Sequence, residues 1–176
     1  MKSLKTIQTL AKIGKVISKI VYICCMIGFI ACAVGTVAIA IGGNAITLNE
    51  TTTSIGTTVA SLVAGLILCT GEYVVARMAY RYFDNELTAG TPFTFEGAKE
   101  MMHLGISVIW ITVVSSILAQ VAQAIISAIM KNVDALTLDC GVSVAMGVML
   151  IVMSLFCRYG AELMKNQAET GSDEQN

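Results

Sequence analysis

Residues 20–41 read IVYICCMIGFIACAVGTVAIAI, a run of 22 residues with no charged side chain. As an α-helix this run would rise about 33 Å, which matches a hydrocarbon core of about 30 Å. A helix that is apolar on every side must be enclosed by protein or by lipid. The chain offers little protein to enclose it. It has 176 residues, of which 56% are hydrophobic and only 13% are charged, about half the charge of an ordinary soluble domain. Lipid is therefore the expected surrounding.

Three more apolar runs lie downstream, over residues 55–71 and on toward Tyr82, over 101–130, and over 142–157. The pattern predicts an all-α polytopic membrane protein, a four-transmembrane-helix bundle. The helices are expected at about 20–42, 55–82, 96–130 and 140–164. A basic amphipathic cytoplasmic arm (1–19) precedes this transmembrane domain (20–165), and a disordered cytoplasmic tail (166–176) follows it. A signal peptide is not the expected reading of the first run, because it continues to Ile41, well past a hydrophobic region of 7–15 residues. The third run would measure about 45 Å as a helix, so it must tilt or project beyond the lipid. Thr94 is placed to cap its start, with Glu96 in the first turn, where a negative charge suits the helix dipole.

Orientation follows from lysine and arginine placement. Lys2, Lys5, Lys12, Lys15 and Lys19 precede the first run. Arg77, Arg81 and Lys99 flank the middle linker, and Arg158 and Lys165 follow the last run. The two opposite connections hold Lys131 alone. Both ends and the middle linker are thus expected inside, N-in and C-in. The basic arm would lie against anionic inner-leaflet lipids, each lysine contributing about 1 kcal/mol there.

Three side-chain patterns could carry function. Gly28, Ala31, Gly35, Ala38 and Gly42 are spaced 3, 4, 3, 4 on the first helix, a helix-packing stripe that lets another backbone approach closely. Ser61, Gly65 and Cys69 form a shorter version on the second. Thr112, Ser116, Gln120, Gln123 and Ser127 make a polar membrane face on the third. Their amides and hydroxyls call for partners in other helices, or for water in a cavity. Glu72, Arg77, Arg81 and Arg158 form the inner-surface charges, with Glu72–Arg158 the expected ion pair, and Tyr73, Tyr80, Tyr82 and Tyr159 accompany them as interfacial anchors. Met146, Met149 and Met153 share a face of the last helix, with core packing the expectation.

No catalytic residues are identified. Neither a nucleophile elbow nor a phosphate loop occurs, and no buried carboxylate pair is indicated. With one histidine, His103, and no Cys-x-x-Cys pair, no metal site and no cofactor are expected. The six cysteines read as small apolar packing residues. No acidic residue falls at mid-membrane depth, which counts against an ion-coupled carrier.

The segment Gly90-Thr91-Pro92-Phe93-Thr94-Phe95-Glu96-Gly97-Ala98-Lys99 resembles the linker of the YoaS-like family of small bacterial membrane proteins, catalogued as a domain of unknown function. Phe156-Cys157-Arg158-Tyr159-Gly160-Ala161-Glu162-Leu163 is similar to the motif that ends that family's last helix. The resemblance implies a bacterial cytoplasmic membrane protein with four helices and no established activity. The resulting expectation is a regulatory or accessory component acting through protein contacts, with a membrane or cytoplasmic protein as partner and no nucleic acid. The alternative is a homo-oligomeric channel or transporter for an ion or small solute, lined by the Gln120/Gln123 face.

Overall fold

The structure, a computed structural model, describes residues 2–42, 55–89, 94–130 and 141–173. These form four helices, α1 (Lys2–Gly42), α2 (Ile55–Ala89), α3 (Phe95–Ile129) and α4 (Gly141–Asp173). Each is long and apolar enough to cross a bilayer. The start of α3 follows the capping logic. Thr94 is extended (φ −112°, ψ 147°), and its side chain accepts a hydrogen bond from the Gly97 N–H at 3.0 Å, with Glu96 in the first turn.

Two boundaries differ from expectation. The basic arm is not a separate element, because α1 runs unbroken from Lys2. No proline interrupts it, and lysine, leucine and isoleucine all tolerate a helix. Likewise α4 continues to Asp173, where an irregular tail was expected from residue 166. Glu162 to Glu169 are nearly all good helix formers, so nothing stops the helix before Gly171. The expected loop at 44–54, the Gly90–Phe93 part of the linker, Lys131 and Cys140 lie outside the described residues.

The helices pack serially, α1 on α2, α2 on α3 and α3 on α4; among the described residues no other pair of helix backbones comes close. Partner numbers show that neighbours are antiparallel. Along the first seam Gly14 faces Phe83, Gly28 faces Cys69 and Gly35 faces Leu62, so one number rises as the other falls. Asn85 reaches Glu100 across α2 and α3, and Gly105 meets Gly147 across α3 and α4.

Every described Lys, Arg, Asp and Glu falls at the same end of the four helices: at or before Lys19, between Glu72 and Glu100, or from Arg158 onward. The opposite part of each helix, about half of α1, α2 and α4 and most of α3, is uncharged. Helices of 33 to 41 residues measure about 50–60 Å, so their charged ends project well past a core of about 30 Å.

Little side-chain surface is buried. The main apolar cluster joins Tyr82 to Leu104 and Val108, with Val75, Met78, Phe83, Met101 and Leu150 packed around it. Small residues do the rest. Buried Ala60, Ala64 and Ala76 lie on α2, Ala98 and Ala119 on α3, and Ser154 and Ala161 on α4. This is how helices pack in lipid, where close backbone approach replaces hydrophobic burial as the source of attraction. One crossing brings backbone against backbone reciprocally: a Cβ on Gly105 would stand 2.8 Å from the Gly147 carbonyl oxygen, and one on Gly147 2.9 Å from that of Gly105.

Candidate functional site

The small-residue stripe of α1 divides between two directions. A Cβ on Gly28 would lie 3.3 Å from Cys69 Sγ, and one on Gly35 3.3 Å from the Leu62 methyls, so both glycines face α2. Ala31 and Ala38 are exposed on the flank away from it. The side of α1 that meets α2 includes Ala11, Gly14, Ser18, Tyr22, Cys25, Gly28, Cys32 and Gly35, all buried or half-buried. On α2, Gly65 packs against Cys32, while the exposed Ser61 hydroxyl donates to its own helix at the Thr57 and Thr58 carbonyls.

The polar face of α3 is also split. Ser116 is buried and Thr112 and Gln123 are half-buried, but Gln120 and Ser127 are exposed. Ser127 donates to the Ala124 carbonyl at 2.9 Å, which satisfies it within its own turn. Thr112 lines a small hollow with Glu72, Val75 and Ser115 between α2 and α3. One edge of the face is therefore packed among the helices while the other, with Gln120 and Ser127, is open.

Among the inner-surface charges, Arg158 does not reach across to Glu72. It pairs with Glu162 one turn on in α4, Nε to Oε1 at 3.4 Å. Spacing of four on one helix makes this the nearer partner. The methionines of α4 are not core: Met146, Met149 and Met153 are all exposed, because Gly147, Ser154, Cys157 and Ala161 hold the buried face. Cys157 lies within electrostatic reach of Tyr82 and Glu86, while His103 is exposed. Among the described residues no three His, Cys, Asp or Glu side chains gather closely enough to hold a metal ion.

The most developed polar arrangement is one that the sequence patterns do not single out. At the charged end, a hollow of about 590 Å³ beside the α1–α2 seam is lined by Lys19, Tyr22, Ile23, Arg77, Tyr80, Arg81 and Asp84. The Asp84 carboxylate accepts from Lys15 Nζ at 2.5 Å, and the same ammonium lies 5.3 Å from the centre of the Tyr80 ring. The Tyr22 and Tyr73 hydroxyls are 3.2 Å apart, with ring centres separated by 4.7 Å. Arg77 stands beside the Tyr73 hydroxyl. Heptad-like spacing accounts for this: Lys19, Ile23 and Met26 share a flank of α1, and Tyr73, Arg77, Arg81 and Asp84 share one of α2. A lysine and two arginines around one opening, beside tyrosines, make a cationic recess at the charged end of the helices.

Four long apolar helices with all described charge at one end define a multi-pass integral membrane protein. Compared with protein-family models, with curated proteins and with solved structures, the chain matches none.

Proposed function

We propose that this protein is a non-enzymatic regulatory or accessory component of the bacterial cytoplasmic membrane that acts through contacts with another membrane protein. The observation that carries this is the exposed Gln120 amide on the uncharged part of α3. A primary amide facing hydrocarbon loses its hydrogen bonds with water at a cost of several kcal/mol. A polar group from another helix is the partner that removes this cost. The serial packing supports the same reading. With α1 held, among the described residues, by α2 alone, the flank bearing Ile27, Ile30, Val34, Val37 and Ile41 is open to a further helix. The bacterial assignment rests on the resemblance of the linker and of the end of α4 to the YoaS-like proteins.

The test is site-specific photocrosslinking in intact membranes, with the photoreactive residue at Gln120 and, as a control, at the exposed Phe156 of α4. A discrete adduct with a different protein, formed from position 120 and not from 156, is the expected result. Lipid adducts alone from both positions would refute the proposal. An adduct at twice the chain mass would favour a homo-oligomer, and flux through liposomes that changes with Gln120→Leu plus Gln123→Leu would then establish the channel reading.

A further inference from the structure

The cationic recess beside the α1–α2 seam continues along the uncharged part of the two helices. Directly on its uncharged side lies a second hollow, of about 200 Å³, lined by Cys25, Met26, Phe29, Cys69, Thr70 and Tyr73. Its one hydroxyl other than that of Tyr73 is turned away, since Thr70 Oγ1 donates to the Leu66 carbonyl at 2.8 Å. The second hollow is therefore apolar. The two follow one another along the same flank of the seam. Tyr22 lines the first and Tyr73 the second, and the contact between their hydroxyls joins them.

The charge balance of the first hollow is specific. Its one carboxylate, Asp84, is already paired with Lys15. Among the described residues Lys19, Arg77 and Arg81 form no ion pair. Three cations thus face an opening whose only anion is neutralised. Two of them are arginines, whose planar guanidinium groups match phosphate oxygens. An occupant must carry a phosphate at one end and an alkyl chain at the other, with the junction at the lipid boundary. Basic pockets between helix ends on the cytoplasmic side suit such headgroups.

We propose that this seam binds one anionic phospholipid. Lys19, Arg77 and Arg81 hold the phosphate, and an acyl chain lies against Cys25, Met26, Phe29 and Cys69. The site goes beyond the general attraction of a basic arm to an acidic leaflet, because it has a defined stoichiometry and an apolar half.

Native mass spectrometry of the full-length protein, released from detergent with dioleoyl phosphatidylglycerol or dioleoyl phosphatidylcholine, tests it. One retained phosphatidylglycerol is expected, in preference to the zwitterionic lipid with the same chains. Each cation at an anionic headgroup is worth about a fivefold gain in affinity, so Arg77→Gln plus Arg81→Gln should weaken retention by about 25-fold. Lys19→Gln, at an exposed position, should weaken it about fivefold. Met26→Trp, which fills the apolar hollow, should also release the lipid while leaving every charge in place. Lys12→Gln plus Arg158→Gln removes equal charge elsewhere and should leave retention unchanged. Equal loss in that control would overturn the proposal, as would equal retention of both lipids. Saturable binding of glycerol 3-phosphate that survives Met26→Trp would overturn it in favour of a soluble phosphate.

Discussion

Replacing Gly105 with valine should weaken the α3–α4 crossing, and the structure sets the scale. The new Cβ would stand 2.8 Å from the Gly147 carbonyl oxygen and 2.9 Å from Ile151 Cγ1, against an ordinary contact of at least 3.4 Å. The nearest atom is backbone, so no rotamer change can relieve it; the helices must part by about 0.6 Å, the difference between 3.4 and 2.8 Å. A gap of ~0.5–1 Å forfeits a quarter to a half of the dispersion attraction across it. Overpacking of this kind costs about 1–3 kcal/mol, while valine recovers only about 0.3 kcal/mol of helix propensity over glycine. The net loss is about 2 kcal/mol, or a fall of about 4–8 °C in Tm for a chain of this size. The comparison is Gly35→Val, whose Cβ meets only Leu62 side-chain atoms, at 3.3 Å; leucine can turn aside, and a change within about 2 °C is expected. Both variants would be melted in the same mild detergent and followed by size-exclusion chromatography after heating. Equal shifts for the two, or a higher Tm for Gly105→Val, would refute the argument from backbone contact.

Thr94→Ala should lower stability by about 1 kcal/mol through loss of the α3 N-cap, read as a fall of about 2–4 °C in the same melt. Tyr22→Phe and Tyr73→Phe should each be mildly destabilising and strongly non-additive, with a double-mutant coupling of about 0.5–1.5 kcal/mol if the hydroxyls bond to each other. Lys15→Met should shift Tm by less than about 3 °C, because the pair with Asp84 is partly exposed and such pairs contribute about 0–1 kcal/mol; an effect near 3 kcal/mol would show that Lys15 does more than pair with Asp84.

Much of the architecture was legible because lipid imposes simple rules. An uncharged run such as residues 20–41 has only one economical conformation in a bilayer, and Thr94 with Glu96 marks a helix start by local chemistry alone. Facing was less legible. Gly28, Ala31, Gly35, Ala38 and Gly42 look like one stripe, yet small residues at spacing 3 and 4 span two neighbouring strips of a helix. Which strip meets α2 depends on the positions of Leu62 and Cys69, which the α1 sequence does not contain. The Gly105–Gly147 crossing has no signature in either helix, since each glycine stands alone and gains meaning only opposite the other. The cationic recess is similar: Lys19 lies some sixty residues from Arg77 and Arg81, and only antiparallel pairing at the right register joins them. Arg158–Glu162, by contrast, was readable from its spacing of four, and a longer-range pairing was expected in its place.

Four crossings with the charged ends together on the inner side can be tested directly. Alkaline phosphatase, active only outside the cytoplasmic membrane, can be fused in turn after Ile41, Thr88, Met130 and Asn166. Activity is expected at Ile41 and Met130 and none at Thr88 and Asn166. Activity at Thr88, between Arg81 and Lys99, would place the cationic recess on the outer face and contradict the N-in, C-in topology.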